Sequence, residues 1–547
     1  MTSPETVATE SLVFLVVGLK RFFKAPFAYF LVDKVSSAIL SQIIKDSIIL
    51  IAEAGFHVQA LTCDGSYVNQ AAMASIGCKF SVDGMNFEFP NPHTPAESIS
   101  FFMDSCHMLK NVRNCFGDLS VLKHGNEVIE WRFIAELHKL QSSSTLNLAN
   151  RLKGKHLDYG KNKMKVALAA QTLSSSVASA IDFLRSQGLE MFQGSEATCN
   201  FMRVFDEVFD LTNSSNIHAK GFKSPIKACN IDAKVSRIML LTDYVKNLTD
   251  IHGKPLLHSR RKTGFVGFLG TLQSIVNVSR RLLAKNYLCV LTYRFSQDHL
   301  ETLFSRIRSR GGFNNNPNAL QFKYALRSLL QKNGVTPSPS TNCLALPQTD
   351  VLAPLDIADD SAATSETIIT EPESGAFLTA IRNKSIYHEN ALHYISGFVQ
   401  RKLLEKFKCP ECIEYLLSSQ FAGHFSLFTL QSDRGGLVHA HTDVFTVVLE
   451  ADRILRFMMA ASSLGPLKAV HNTFLLRLGI AVLKAVRDKV NVESQESHPV
   501  QIIKFICNFF CNTMLHHFGK IFSERHLNFD KGSIRHSLNK KILFMHQ

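Results

Sequence analysis

Two short apolar segments of this chain each end on an aspartate. Residues 58–63 run into Asp64 and then Gly65, and residues 98–103 run into Asp104. Short apolar runs that stop at such a point are typical of buried β-strands. An acid at the end of a strand lies at the rim of a sheet, where ligands bind. The pattern therefore predicts an α/β fold with two carboxylates at its rim.

A second acidic feature lies near residue 300. Asp298 and Glu301 stand one helical turn apart, and the same segment then becomes strongly basic up to Arg310. Carboxylate oxygens suit a divalent metal, and arginines suit approaching phosphates. Taken with Asp64 and Asp104, Glu301 predicts the carboxylate cluster of a two-metal phosphoryl transferase. The alternatives remain a turn-capping role for Asp64 and a solvated, Arg-paired role for Glu301.

Charge and composition narrow the class of partner. The 547 residues are 46% hydrophobic with 41 Phe, which indicates folded cores, and the net charge of +14 favours a polyanion. Residues 334–375 hold seven acids and no Lys or Arg, which predicts a disordered acidic linker. Twelve scattered cysteines, with no signal-peptide pattern, predict reduced thiols.

The order of patterns along the chain predicts a split domain. Apolar strands alternate with one long helix over residues 11–118, and this helix, 36–54, carries too many charges to span a membrane. Residues 119–290 read as helical, and the last acid returns only in 291–333, so an insertion separates the strands from the closing helix. After the linker, residues 376–547 are again mainly helical. The fold class is thus α/β plus α.

Several strings resemble the P-element transposase family, which includes THAP-domain relatives, and they occur in family order over nearly the whole chain. They are LVFLVVGL (12–19), LTCDGSYVNQ (61–70), FFMDSCHMLKNVRN (101–114), KMKVALAAQTLSSS (163–176), SQDHLETLFSRIRSRGG (296–312) with NPNALQFKYALR (316–327), and HYISGFVQRKL (393–403).

The resemblance implies an RNase H-like domain interrupted by a helical GTP-binding-type insertion, with DNA cut and joined by acids and Mg²⁺ or Mn²⁺. In the family order, Asp64 matches the second catalytic acid and Glu301 the third, and both would hold the metal. Asp104 matches the acid of a D-x-x-H-x-x-K motif beside the site. The family triad thus differs from the triad read from the residues alone, and we follow the family order.

The family's first catalytic acid lies on a strand upstream of LVFLVVGL, and Met1 to Glu10 offer no such strand. A zinc-coordinating THAP module is not expected either, because the first cysteine is Cys63. We therefore expect a nuclear, DNA-binding, transposase-derived protein with impaired cleavage, and homo-oligomer formation is left open. The alternatives are a domesticated, non-catalytic interaction or dimerisation protein, and a nuclease that uses Asp104 as a substitute acid. No membrane partner is expected.

Nucleotide contacts are implied by the resemblance alone, since no Walker-type loop is present. Lys165 would attract phosphate and Asp210 would read guanine N–H donors. The alternative is that these are surface residues of an insertion that binds nothing. The positions that match the family's nucleotide contacts are Arg151, Lys165, Val166, Ser174, Asp210, Asn213 and Asp298.

Two further patterns, the basic residues after Asp104 and the pair of Cys409 and Cys412, each allow a purely structural interpretation and a functional one. His107, Lys110 and Arg113 follow Asp104 at helical spacing, as a solvated face or as a contact to DNA phosphate or to charge near the site. Cys409 and Cys412 have metal-knuckle spacing, but the cysteines and histidines that could complete four ligands are about a hundred residues away. Buried free thiols are the favoured interpretation there.

Overall fold

The structure is a computed structural model, and it describes residues 8–20, 23–143, 146–310, 312, 314, 316–331, 377–418, 425–461 and 498–526. The chain divides into two compact units. The first comprises residues 1–139 and 149–355, and the second comprises residues 140–148 and 356–547. The predicted acidic linker, residues 334–375, lies outside the described residues.

The first unit begins with a hairpin and a helix. Strands β1 (Glu10–Val17) and β2 (Lys24–Val32) pair antiparallel, which confirms the two predicted strands. Helix α1 (Ser37–Glu53) follows, where the Ser36 hydroxyl accepts the Ile39 N–H as the helix cap. Its buried face includes Leu40, and its charged residues lie elsewhere on the helix. The predicted amphipathic helix is therefore present.

The central sheet holds β3 (Ala60–Cys63), β4 (Glu88–Pro90) and β5 (Ser98–Met103) in the order β3–β5–β4. Strands β3 and β5 are parallel, and β4 is antiparallel to β5. Five of the six β5 residues are buried, as expected of a strand covered on both faces. The sequence did not predict β4, because three residues ending in proline show no period.

Each predicted acid strand leads directly into a helix. Helix α2 (Tyr67–Ser75) follows β3, and α3 (Ser105–Leu119) follows β5 with Asp104 as its cap. A βα junction of this kind brings strand ends and helix N-termini to one edge of the sheet.

The region predicted as helical, 119–290, is mainly so, but it also contains a small sheet that the sequence did not reveal. That sheet has the order β7–β6–β8, with β6 (Val121–His124), β7 (Glu127–Glu130) and β8 (Leu248–Asp250). The helices are α4 (Arg132–Ser143), α5 (Gly154–Leu157), α6 (Val166–Thr172), α7 (Ser175–Ser186), α8 (Glu196–Thr212), α9 (Ile231–Lys246) and α10 (Thr263–Ala284).

Helix α10 lies close against β5 and α3 because its glycines permit the approach. A Cβ at Gly267 would stand 2.1 Å from the Met108 Sδ, and one at Gly270 would stand 2.1 Å from the Phe87 ring. The Thr271 and Ser274 hydroxyls then donate to backbone carbonyls of β5 at 3.0 and 2.6 Å. Although α10 was placed with the insertion by sequence, it packs on the central sheet.

The closing helices are α11 (Asp298–Arg310) and α12 (Ala319–Gln331). Their apolar residues Leu303, Ile307 and Phe322 form one cluster with Val13 of β1. The turn before α11 is fixed to the central sheet by Phe295, whose ring stacks on Phe102 at 4.5 Å. This packing brings the first turn of α11 to the sheet edge that carries the acids.

The described part of the second unit is helical, as predicted. It comprises α13 (Phe377–Lys406), α14 (Pro410–Ser418), α15 (Leu427–Ser432), α16 (Thr442–Ala461) and α17 (His498–His526). Gln400 is buried with both of its polar atoms bonded: it donates to the Leu416 carbonyl at 2.9 Å and accepts from the His441 N–H at 2.6 Å. Within the described ranges, no helix has both the length and the apolar character needed to cross a membrane.

The cysteines of the second unit agree only in part with the expectation of buried thiols. Cys507 and Cys511 are buried in α17, whereas Cys409 and Cys412 are only partly buried, and Cys412 is hydrogen-bonded with Cys409. In the described part of the chain, no group of three or more metal-ligating side chains contains any of these four residues.

Candidate active site at the carboxyl edge of the parallel strands

Asp64 and Asp104 lie side by side because their strands are neighbours in register. Cys63 pairs with Met103, and the Asp104 N–H donates to the Cys63 carbonyl at 3.0 Å. Adjacent strands are about 4.8 Å apart, so residues that follow paired positions emerge together. The structure thus brings together the two aspartates that the sequence placed at the rim.

Asp64 is held by its own turn. Its Oδ1 accepts the Ser66 N–H at 2.9 Å and the Asn69 side-chain amide at 2.6 Å. Its Oδ2 receives no hydrogen bond from the described part of the chain. The turn-capping role and a ligand role are therefore compatible, since one oxygen fixes the turn while the other is not used in it.

Asp104 is 1% exposed, and both of its oxygens are engaged. Oδ1 accepts the Gln297 N–H at 2.9 Å, and Oδ2 accepts the His107 N–H at 3.0 Å and contacts the His107 Nδ1 at 2.7 Å. Burial would raise the pKa of Asp104, but the bonds from His107 and Gln297 hold this pKa below its ordinary value. Asp104 therefore joins the start of α3 to the start of α11 and acts as a positioning group.

His107 connects Asp104 with Glu301. Its Nε2 lies 4.0 Å from the Glu301 Oε1, and the Glu301 side chain is partly exposed. Burial lowers the pKa of His107, but the Asp104 carboxylate outweighs this and raises the pKa above its ordinary value. The imidazole ring of His107 therefore contacts the Asp104 carboxylate and lies beside that of Glu301.

Asp298 is a buried acid of the site whose pKa is strongly raised. It is 3% exposed, and ligand atoms of Asp104, Cys106 and Asp298 all lie within 4.8 Å of one another. Burial, together with the charge of Asp104, raises the pKa of Asp298 to about 7. Near neutral pH this carboxyl is therefore a mixture of protonated and ionised forms, unlike an exposed aspartate.

The basic stripe after Asp104 is not a solvated face. Arg113 is 0% exposed and donates to the Asn162 and Lys163 carbonyls at 3.2 and 3.3 Å, and Lys110 is also buried. Both interpretations offered for Arg113 from sequence are wrong, because its guanidinium lies inside and holds a loop of the insertion. Only His107 of this stripe contacts the carboxylates.

The residues that match the family's nucleotide contacts differ in how far they are exposed to solvent. Arg151 and Lys165 are exposed, whereas Val166 is buried. The Ser174 hydroxyl accepts the Val177 N–H at 3.4 Å as the cap of α7. Asn213 follows the end of α8 and is partly buried.

The two acidic nucleotide positions are engaged elsewhere. The Asp210 Oδ1 lies 3.2 Å from the Lys223 Nζ, so this carboxylate already has a cationic neighbour. Asp298 lies in the carboxylate cluster of the sheet edge and is not part of the insertion's surface. Nothing in the spacing of the sequence pointed to Lys223.

Sequence reasoning also passed over the residues that orient the acids. Asn69 and Ser66 hold Asp64, and Gln297 holds Asp104. Each lies inside a string that carried the family resemblance, which is the signal that could have identified them.

Four family models match the chain. They are described as the TNP-like RNase H N-terminal domain (residues 2–77), the TNP-like GTP-binding insertion domain (106–225), the TNP-like RNase H C-terminal domain (293–327) and the C-terminal domain of DNA transposase THAP9 (383–520). Their order reproduces the predicted split domain.

Two curated relatives are similar over long stretches. Human "DNA transposase THAP9" is 24% identical over 472 residues, which cover 82% of this chain and 51% of the relative. The Drosophila melanogaster "Transposable element P transposase" is 26% identical over 319 residues, which cover 58% of this chain and 40% of the relative. The chain thus spans about half the length of these relatives or less.

A solved structure titled "Drosophila P element transposase strand transfer complex" shares the fold. Its TM-score is 0.52 at 24% identity, with 59% of this chain and 74% of that chain covered. The architecture is therefore an RNase H-like domain with a helical GTP-binding-type insertion, followed by a helical C-terminal domain, which confirms the predicted fold class.

Proposed function

Because the chain belongs to the family of P-element and THAP9-like transposases, we propose that it is a transposase-derived DNA-binding protein with a divalent-metal site formed by Asp64 and Glu301. The observation that carries the proposal is the meeting of β3, β5 and the first turn of α11 at one edge, where these acids are partly exposed. The DNA substrate implies action in the nucleus.

The donor set fits Mg²⁺ or Mn²⁺, because hard cations prefer carboxylate oxygens. Asp64 would offer the oxygen that is not used in its turn, and Glu301 would offer its partly exposed carboxylate. When bound, a divalent ion stabilises charge that develops on a phosphate. His107 contributes separately, since its ring lies beside Glu301 while Asp104 fixes the ring.

Cleavage by this chain is proposed to be impaired. The other two acids at the edge are buried: Asp104 spends both oxygens on hydrogen bonds, and the pKa of Asp298 is raised to about 7. A two-metal site needs ligands that bridge both ions, and two partly exposed carboxylates are a poor set for that task.

The net charge of +14 supports binding to DNA through phosphate contacts. GTP binding by the insertion is the finer part of the proposal. Lys165 and Arg151 would attract the phosphates, and Asp210 would read the base once Lys223 moves aside.

A salt titration and a cleavage assay test this function. DNA affinity should fall steeply between low and physiological salt, with little sequence preference, and cleavage with Mg²⁺ or Mn²⁺ should be undetectable. Flat affinity across that salt range would favour the domesticated interaction protein. Robust cleavage that Glu301→Ala abolishes would instead show that another acid, with Asp104 first in line, completes the site.

A further inference from the structure

Cys409 and Cys412 stand at the beginning of α14 in the second unit. The carbonyl of Cys409 accepts the Ile413 N–H at 3.0 Å, so Cys409 is the cap residue and Cys412 lies in the first turn. Both cysteines are partly buried, whereas Pro410 and Glu411 between them are exposed. A small molecule in solvent can therefore reach the two thiols. We call Cys409 and Cys412 the cysteine pair.

The side chains of the cysteine pair already contact each other, since Cys412 is hydrogen-bonded with the Cys409 side chain. Residues three positions apart at helical spacing have Cβ atoms about 5–6 Å apart. A disulfide needs Cβ atoms about 3.5–4.5 Å apart. Only a small movement of the first turn of α14 therefore separates the two thiols from a disulfide.

Residues in the second half of α14 anchor this helix. Leu416 is buried, and its carbonyl accepts the Gln400 amide at 2.9 Å, while the Tyr415 hydroxyl donates to the Asp443 Oδ2 at 2.5 Å. A disulfide within the cysteine pair would close a loop of only four residues, which constrains the unfolded chain little. An accessible bond of this kind suits a reversible reaction better than it suits stabilisation of the fold.

We propose that the cysteine pair is a reversible thiol–disulfide site that a low-molecular-weight disulfide, such as glutathione disulfide, oxidises. One protein thiolate attacks a sulfur of the small disulfide, so a mixed disulfide forms and one small thiolate leaves. The second cysteine then attacks the protein sulfur of the mixed disulfide, which closes the internal S–S bond and releases the second small thiolate. The two protein thiols are oxidised, the small disulfide is reduced, and the two thiol protons pass to the released thiolates.

Cys507 and Cys511 provide an internal comparison for the cysteine pair. They lie four positions apart on α17, but their exposed fractions are only 2% and 1%. Burial raises the pKa of the Cys507 thiol to about 12. Because the thiolate is the attacking form and a reagent must reach it, these two thiols should react slowly. Cys229, which is exposed in the first unit, provides an accessible thiol for comparison.

Oxidation of the full 547-residue protein by glutathione disulfide tests the proposal. The protein is first reduced, then incubated with glutathione disulfide in EDTA, and N-ethylmaleimide blocks the remaining thiols at each time. Trypsin releases the cysteine pair in one peptide, residues 409–434, because Lys408 precedes it and the next Lys or Arg is Arg434. Mass spectrometry of this peptide distinguishes two blocked thiols, a mixed disulfide and an internal disulfide.

We expect the internal disulfide to form in the cysteine pair at least tenfold faster than between Cys507 and Cys511, whose tryptic peptide is residues 505–520. An excess of reduced glutathione should then reopen it. Cys409→Ser and Cys412→Ser should each stop at the mixed disulfide, since the second thiol is missing. Cys229→Ser is the matched control and should leave the rate at the cysteine pair unchanged. Circular dichroism of each variant confirms that it is folded.

A peptide 409–434 that stays reduced or gains only mixed disulfides, while Cys229 is modified, would overturn the proposal. Equal rates at the cysteine pair and at Cys507 and Cys511 would also overturn it, because oxidation would then follow unfolding. So would Zn²⁺ that, without EDTA, binds the parent protein but neither single variant and blocks oxidation, because the cysteine pair would then be a metal site. None of these results depends on DNA or on Mg²⁺ and Mn²⁺, so they are separable from the proposed function.

Discussion

At the carboxyl edge of β3 and β5 the backbone itself places the acids, whereas in the insertion the nucleotide positions depend on how separate helices present their side chains. Asp104 is bonded to Cys63 by its own N–H, and Gln297 brings α11 to the same point. In the insertion, Asp210 is held by Lys223 and Ser174 is used as a helix cap. Strand register therefore secures a site more firmly than a set of positions on helices.

The largest expected effect tests whether core packing fixes the carboxylate edge. Phe102→Ala removes a buried ring that stacks on Phe295 at 4.5 Å, just before α11. We expect a loss of about 3–5 kcal/mol in the free energy of unfolding, from lost burial and a cavity. Chemical denaturation measures it.

The control for that loss is Leu288→Ala, since Leu288 is 93% exposed. It should change stability by less than about 0.5 kcal/mol. Equal effects of the two substitutions would mean that the Phe102 stack does not hold α11 against the sheet.

The dependence of protein stability on pH tests whether Asp298 at the carboxylate edge is buried as the structure shows. The pKa of Asp298 is about 7 in the folded state, against an ordinary 3.8, so the folded state binds more protons between these values. Stability from this group is thus present below its ordinary pKa and is lost as pH rises toward 7. Asp298→Asn should stabilise the protein by about 1–3 kcal/mol at pH 8 and change little at pH 4.

Denaturation in EDTA at both pH values checks that prediction without metal. The exposed Asp83→Asn serves as the matched control and should show no such pH dependence. A stabilisation by Asp298→Asn that is equal at pH 4 and pH 8 would contradict the raised pKa.

The smallest expected effect concerns the insertion. If Asp210 reads guanine, Lys223 competes with the base for the same carboxylate. Lys223→Ala should therefore strengthen GTP binding by up to about tenfold, or 1.4 kcal/mol. Asp210→Asn should weaken GTP and favour XTP, because xanthine offers a carbonyl where guanine offers an amino group.

Calorimetry with GTP, ATP and XTP measures this, and Lys165→Ala is the companion variant. It should weaken all triphosphates alike, since phosphate carries no base information. Equal affinity for GTP and ATP in the parent protein would mean that the insertion is structural.

The sequence was sufficient to predict helices and strands where apolar residues form a clear run or recur at a regular spacing. The strands before Asp64 and Asp104 and the helix 36–54 were predicted from apolar runs and are present as β3, β5 and α1. Strand β4 and the sheet of β6, β7 and β8 were missed, since strands of three or four residues leave no clear period.

Hydrogen bonds between residues far apart in the chain could not be predicted from the sequence pattern. Asp104 meets Gln297 across 193 positions, and Arg113 meets Lys163 across 50 positions. Asp104 is 1% exposed and Arg113 is 0% exposed, so the side chains of both interact with other parts of the protein and not with solvent. No spacing rule on one chain segment could report these contacts.

The most direct test of the account is a Mn²⁺ titration of the full chain, followed by electron paramagnetic resonance of the free ion. We predict one weak class of site that Asp64→Asn and Glu301→Gln each weaken at least tenfold, while Asp83→Asn leaves it unchanged. The double substitution should add little to either single one, because both acids hold the same ion. Mn²⁺ affinity that survives both substitutions would contradict the claim that Asp64 and Glu301 form the metal site.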